Sequence, residues 1–374
     1  MSESKTAEWV DVGAAADVPD GDVREFALGR HKLAVTRRGD QWGAINGQCN
    51  HAGGPVGQGR LDGDYVVCPW HYWKYHWQTG AGEPGYEGDR VPSYAIRIEG
   101  GRIQVQQQAA TPRGHLPHPP HALARTPERV PGPIRVLGLS TTSMTHDQPR
   151  YSTSEDLLAH ALASVERELQ SESRLIRFRE LQVRECEGFY SKSARACTWP
   201  CSITQMDSHD QMEQIYEGVV HWADVILVAT PIRWGAPASL YSKMVERMNC
   251  IQNQEVLTGR HLLKNKVAAF IVTGGQDNVQ AVVGQMLTFF GEIGCQFPQF
   301  PFIAHSRGWS AEDMERNQEI VRASQSLHDG AAALARRSVE MARVMIASSL
   351  GAEALVRGGR KAQGEVEAPA SRAS

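Results

Sequence analysis

The sequence predicts a multi-domain protein: an all-β front module, then an α/β module on a doubly wound parallel sheet. Three observations carry this. Residues 1–108 contain short alternating runs, "HKLAVTRR", "QWGAING", "DYVVCPW" and "YAIRIEGGRIQVQQQ", separated by Gly, Pro and Asp. That is the chemistry of strands joined by hairpins. Residues 109–133, "AATPRGHLPHPPHALARTPERVPGP", hold seven prolines between Pro112 and Pro133 and read as a semi-rigid extended linker. From Ile134 onward, strand-length apolar runs alternate with helix-length amphipathic ones, the pattern of parallel βαβ units.

The rear elements follow in order. "IRVLGLS" is a buried-type strand, "EDLLAHALASVEREL" a helix and "SRLIRFRELQVR" a second strand. "HDQMEQIYEGVVHW" reads as a helix, "DVILVATPI" as a strand and "SLYSKMVERMNCI" as a helix. "KVAAFIVTGG", "VQAVVGQMLTFFGEI" and "PQFPFIAH" continue as strand, helix, strand, and one long helix from about Ala311 to Ser349 closes a domain spanning 134–350. Residues 351–374 are polar and rich in small residues, so they are expected to form a disordered tail. No internal repeat is visible.

At 374 residues the chain fits two domains. A formal net charge of −3 with no basic stripe argues against nucleic acid or a membrane surface as partner. No apolar run reaches transmembrane length, and "MSESKTAEWV" lacks the features of a signal peptide, so a cytoplasmic location is expected. Seven scattered cysteines fit metal ligands, redox groups or buried small residues better than a disulfide scaffold.

"CNHAGGPVGQGRLDGDYVVCPWH" places Cys49-x-His51 and Cys68-x-x-His71 in two loops. Spacing alone leaves tetrahedral zinc open. The wider stretch, "CNHAGG…CPWHYWKYHWQTG", resembles the Rieske [2Fe–2S] domain over residues 9 to 106. The resemblance implies that Cys49 and Cys68 bind one iron, and His51 and His71 the other. Respiratory Rieske proteins add a disulfide between the loops; Gly54 and Trp70 stand there here. Their Gly-Ser after the second His is Tyr72-Trp73 here, which removes a hydroxyl donor to a cluster sulfur. The resemblance therefore implies a low potential within the roughly −150 to +300 mV Rieske range, as in ferredoxins and oxygenases.

A Rieske oxygenase would also need a mononuclear iron held by two histidines and a carboxylate. The nearest stretch, "MDSHDQMEQIYEGVVHWAD", puts His209 and His221 on different helical turns and in the wrong fold. The rear module instead resembles the flavodoxin-like FMN reductases and iron–sulfur flavoproteins over residues 134 to 305. In such sheets the ligand lies beyond the carboxyl ends of the strands. The first loop offers Ser140, Arg150, Ser152, Thr153 and Ser154 to an FMN phosphate, Ser152-x-x-Glu155 being also a capping box. The second, similar to the family's "SPVYWGSPS", offers Thr230, Pro231, Ile232, Arg233, Trp234 and Gly235 to the flavin ring. Arg233 and Trp234 are the catalytic candidates, Trp234 having a core aromatic as its plain alternative. The third offers Thr273, Gly274 and Gly275.

Cys186, Cys197 and Cys201 lie where iron–sulfur flavoproteins carry four cysteines for a second cluster. Three at this spacing fit the packing of a loop or subunit contact best, with a second cluster completed by another ligand, or a Cys197–Cys201 redox pair, as alternatives. Cys250 and Cys295 read as core, and His115, His118 and His121 as linker residues facing water.

Together the resemblances imply an oxidoreductase that couples FMN to a Rieske [2Fe–2S] cluster. It would reduce a small-molecule or flavin acceptor with NAD(P)H, as a homodimer or homotetramer, with a redox protein as a further partner. The alternatives are a non-enzymatic electron carrier serving a separate oxygenase or reductase, and a redox sensor built on the cysteine loop.

Overall fold

Alternation in the front of the chain folds into two antiparallel sheets. The strands are β1 (Trp9–Ala14), β2 (Val23–Leu28), β3 (His31–Arg38), β4 (Gln41–Asn46), β5 (Arg60–Asp62), β6 (Tyr65–Val67), β7 (Lys74–His76), β8 (Ser93–Glu99) and β9 (Arg102–Ala109). A six-stranded sheet runs β1-β9-β8-β4-β3-β2, and a small sheet runs β5-β6-β7. In β3 the side-chain period of two buries both faces: Leu33 and Val35 join Ile103 and Val105, while Ala34 joins Ile45, Val66, Tyr75 and Trp77. Cys49 and Cys68 belong to that second cluster.

This computed structural model describes residues 8–116, 119–144, 147–207, 209–274, 278–306 and 311–348. Its contacts divide the chain into two units, Met1–His121 with Gly188–Thr198, and Ala122–Glu187 with Trp199–Ser374. The expected tail, His118 and Gly275 lie outside the described residues.

The second unit is built on a parallel sheet. Its strands are β10 (Arg135–Ser140), β11 (Glu172–Arg177), β12 (Val225–Arg233), β14 (Val267–Gly274) and β15 (Phe302–Ser306), in the order β11-β10-β12-β14-β15. β13 (Ala236–Pro237) folds back on the end of β12. β12 is buried from Val225 to Ile232, as a central parallel strand covered on both faces must be. Helix α1 (Thr153–Leu169) and the terminal helix Gln325–Ala347 bury Leu157, Leu158, Leu334 and Val339 against one face of the sheet.

Two expected helices are divided. "SLYSKMVERMNCI" becomes Ser239–Arg247 and Asn249–Thr258, joined at Met248. The closing helix breaks at Ser324, giving Ala311–Ala323 and Gln325–Ala347, because the Ser324 hydroxyl caps the second by accepting from Leu327 N–H. The stretch "HDQMEQIYEGVVHW" begins as an α-helical turn at Met212 and continues as a π-helix, Glu217–Trp222. The second strand is shorter than expected and ends at Arg177.

The proline-rich stretch is fastened in each unit. Arg113 donates to Asn46 Oδ1 (2.7 Å), to the Gln48 carbonyl (3.1 Å) and to Asn50 Oδ1. In the second unit Leu123 is buried, Arg125 pairs with Glu217, and Arg129 reaches Asp224 at 2.9 Å. His115 is exposed, as expected, and its ring also lies 3.3 Å from the buried Asp89 carboxylate.

Candidate functional site

The two cysteine–histidine loops are built alike. Cys49 N–H donates to the carbonyl five residues on, Gly54, and Gly53 N–H returns to the Cys49 carbonyl. Cys68 N–H likewise donates to Trp73, and Tyr72 N–H returns to Cys68. The fourth residue after each cysteine takes positive φ, 75° at Gly53 and 58° at Tyr72. In each loop the amides two and three residues after the cysteine turn on its sulfur: His51 and Ala52 on Cys49, Trp70 and His71 on Cys68. Such amide-lined turns stabilise thiolates.

The four side chains meet in two pairs, cysteine with cysteine and histidine with histidine. The two thiols are hydrogen-bonded to each other, and this bond pulls Cys49 down to about 7 and drives Cys68 up. The His51 and His71 rings meet edge to face with centroids 4.4 Å apart, and His51 stacks on Trp73 at 4.7 Å. Both Nδ1 atoms are buried, and that of His71 has no hydrogen-bond partner. Paired thiols and an orphaned imidazole nitrogen are the donor types a mixed-ligand iron–sulfur cluster requires. Among the described residues, no group of three or more His, Cys, Asp or Glu forms a candidate site for a single metal ion.

The surroundings hold this set tightly. A Cβ on Gly54 would stand 2.7 Å from Cys68 Sγ and 3.2 Å from the Trp70 ring, so only glycine fits. Asn50 Nδ2 donates to Asp89 (2.8 Å) and to the carbonyl of Gly114 (2.8 Å). The hydroxyl of Tyr75 accepts from Asn50 N–H at 3.0 Å and lies 3.3 Å from Cys49 Sγ. The sequence reading counted a missing hydroxyl donor; Tyr75 supplies one from the neighbouring strand. His71 is 2% exposed, and its Nε2 meets the Ala196 carbonyl at 2.7 Å. Burial pushes this imidazole below its usual value, and the carbonyl acts the other way.

In the second unit the expected loops gather at the carboxyl ends of β10, β12 and β14. Thr141 bonds the Ala229 carbonyl through N–H (2.9 Å) and hydroxyl (3.1 Å), fixing the first loop to β12. Ser152 caps α1, and its hydroxyl donates to Thr142 (3.1 Å) and neighbours Ser154 (3.3 Å). Thr153 and Thr273 share a 2.6 Å hydrogen bond, which joins the first and third loops. Arg150 is exposed. The capping box is only half made. Glu155 N–H meets Ser152, but its carboxylate takes Ser140 (2.6 Å), Arg177 (2.7 Å) and Arg179 instead of the cap. The Ser140 hydroxyl is thus given to Glu155.

The second loop is a hairpin, with Ile232 opposite Pro237 and Arg233 opposite Ala236. Trp234 (φ 52°) and Gly235 (φ 71°) form its two-residue tip, the backbone of a type I′ turn. Trp234 is 92% exposed, which overturns the core-aromatic alternative. Thr230 Oγ1 accepts from Ala238 N–H (3.2 Å), and Asn278 Nδ2 donates to the Gly235 carbonyl (2.6 Å). Two groups the sequence reading missed lie beside the third loop. His305, at the end of β15, pairs in register with Thr273, and its Nε2 meets Asn317 Oδ1 at 2.7 Å. Asn317 Nδ2 in turn holds the Gly274 carbonyl at 3.3 Å. The last residue of an expected strand was the available signal for His305.

Of the other cysteines, Cys250 and Cys295 are buried, as expected, while Cys186 is exposed and Cys197 and Cys201 are half-buried. Cys197 belongs to the first unit and the other two to the second.

A paired-loop cysteine–histidine site and three loops gathered at the carboxyl end of a parallel sheet define a protein of two redox modules. Residues 8–95 match the Rieske [2Fe-2S] domain family, and residues 135–309 match the NADPH-dependent FMN reductase family. The chain belongs to the Rieske family through its front domain and carries the FMN reductase domain behind it, with an iron–sulfur cluster and FMN as the cofactors of those domains. Ferredoxin CarAc of Metapseudomonas resinovorans is 38% identical over 100 residues, which are 26% of this chain and 92% of that protein. The anthranilate 1,2-dioxygenase ferredoxin subunit of Burkholderia cepacia is 30% identical over 28% of this chain and 97% of its own. The crystal structure of RosB with bound OHC-RP (8-demethyl-8-formylriboflavin-5'-phosphate) is 19% identical, with a TM-score of 0.49, and covers 64% of this chain and 95% of that one. Among the described residues, no helix is long and apolar enough to cross a membrane.

Proposed function

We propose that this protein is an NAD(P)H-dependent oxidoreductase that passes electrons between FMN and a Rieske cluster and reduces a small-molecule or flavin acceptor. The observation that carries it is the presence of both redox domains in one chain. Flavin exchanges electrons in pairs or singly and a [2Fe–2S] cluster singly, so the two cofactors together convert between the two regimes.

In this reading Cys49 and Cys68 hold one iron, and His51 and His71 the other. The amides and hydroxyls of Ser152, Thr153 and Ser154, at the positive end of α1, bind the FMN phosphate together with Arg150. The backbone from Thr230 to Gly235 and at Thr273–Gly274 approaches the ring, Trp234 covers a face, and Arg233 supplies positive charge beside it. Asn317 holds the third loop through the Gly274 carbonyl.

Anaerobic turnover of holoprotein tests the assignment. NADPH or NADH should be consumed with quinone, nitro-aromatic or free-flavin acceptors, and deletion of flavin binding should abolish this. A second reading, favoured by the ferredoxins that match the front domain, is a one-electron carrier for a separate oxygenase. Reduction only by a protein donor, with no pyridine-nucleotide consumption, selects it.

A further inference from the structure

Residues 188–198 lie within the sequence of the FMN reductase domain, yet they pack as part of the unit that holds the cysteine–histidine loops; residues 187 and 199 on either side do not. The segment forms two short turns, Phe189–Lys192 and Ala194–Ala196, closed by Ser193 N–H to Phe189 O (3.2 Å) and Ala196 N–H to Ser193 O (2.9 Å). Phe189 is 5% exposed, and its ring meets those of His71 and Tyr72, each at 6.2 Å between centroids. Ala196 is fully buried, with its carbonyl 2.7 Å from His71 Nε2.

We propose that residues 188–198 are a strap that positions and tunes the cluster through His71, with the Ala196 carbonyl as the fixed acceptor of the imidazole's outer N–H and Phe189 as the wedge that keeps it there. The inference rests on the assignment of His71 as an iron ligand. A carbonyl at Nε2 fixes the tautomer that leaves Nδ1 unprotonated toward the metal, and Nδ1 is the orphaned atom. Accepting this proton also makes the imidazole a stronger donor to iron. That favours the oxidised cluster and lowers its potential. It also has a consequence for partners. Cys49, Cys68 and His71 are all buried, and of the four only His51 is half-buried. With the outer edge of His71 occupied by the chain itself, an external electron acceptor is kept from that ligand.

The test compares full-length holoprotein with Phe189→Ala, Phe189→Leu and a variant whose residues 189–197 are replaced by a Gly/Ser segment of equal length. Electron-paramagnetic-resonance g-values, midpoint potential and the rate of cluster oxidation by ferricyanide are read, none of which needs flavin turnover. Phe189→Ala and the Gly/Ser variant should shift the g-values, raise the potential and speed oxidation several-fold, and Phe189→Leu should restore most of the wild-type behaviour. If the Ala and Gly/Ser variants take up no cluster, the same shifts are sought in Phe189→Leu at smaller size. Unchanged g-values, potential and oxidation rate in every loaded variant overturn the strap. A wild-type spectrum that is not of the Rieske type overturns the ligand assignment instead.

Discussion

The hydroxyl of Tyr75 lies 3.3 Å from Cys49 Sγ, reaching from the small sheet to a cysteine on the opposite loop. The same oxygen accepts from Asn50 N–H, and toward a metal-bound Cys49 thiolate, which has no proton to give, the hydroxyl can only donate. This bond connects the two ligand loops outside the ligand set.

Tyr75→Phe should therefore leave the cluster in place with a lower midpoint potential, because a donor to ligand sulfur favours the reduced, more negative cluster. It also strands the Asn50 N–H, at a cost of about 1–3 kcal/mol to the Rieske domain. Redox titration followed by paramagnetic resonance, with thermal unfolding of the same samples, checks both. An unchanged potential would mean that the hydroxyl does not act on the sulfur.

Arg113 gives a second prediction. Its guanidinium ties together Asn46, Gln48 and Asn50, the approach to the first loop. Arg113→Ala should lower iron and sulfide content on purification and destabilise the front domain by about 1.5 kcal/mol, the lower end of the range for hydrogen bonds to a charged group because the contacts are partly exposed. Arg125→Ala, which removes an exposed pair with Glu217, should cost at most about 1 kcal/mol and leave iron unchanged.

These contacts show where the sequence is legible. Cys49, His51, Cys68 and His71 announce themselves because their chemistry lies in side chains at close spacing. The parallel sheet is equally plain, since central strands such as β12 must be apolar throughout. Ser152 as a helix cap follows from local geometry. Long-range diversions are not legible. Glu155 sits where a capping-box glutamate belongs, but Arg177 and Arg179 at the end of another strand attract its carboxylate more strongly than the cap N–H does. The Ala196 carbonyl carries no signature, because every residue has one. Arg113 was hidden by the prolines around it, and the break at Ser324 by the apolar rhythm that continues on both sides.

Glu155 also sets a pH dependence. Burial pushes its carboxyl up, but hydrogen bonds from Arg179, Ser140 and Arg177 outweigh this and hold it at about 2. A glutamate near 4.3 in the unfolded chain and near 2 in the folded one stabilises the fold fully above about pH 5. That contribution, of the order of 3 kcal/mol, fades as pH falls through the interval toward 2. Urea midpoints of the FMN reductase domain should drop on acidification from pH 5 to 3 in the wild type. In Glu155→Gln they should begin lower and fall less over the same interval; parallel curves would show that this carboxylate is not the source.

Trp234 separates binding from stability. It is 92% exposed at a hairpin tip whose geometry Gly235 and the Asn278–Gly235 bond maintain without it. Removing an exposed side chain alters stability by no more than about 0.5 kcal/mol, and alanine accommodates the tip about as well as tryptophan does. A ring of this size left open to solvent is nevertheless a large apolar surface with nothing of its own unit to cover it. If it covers a face of the flavin, Trp234→Ala should keep the wild-type melting temperature of the flavin-free protein, weaken FMN binding several-fold and remove tryptophan quenching of flavin fluorescence. Equal FMN affinity and fluorescence in the two proteins would take Trp234 out of the flavin site.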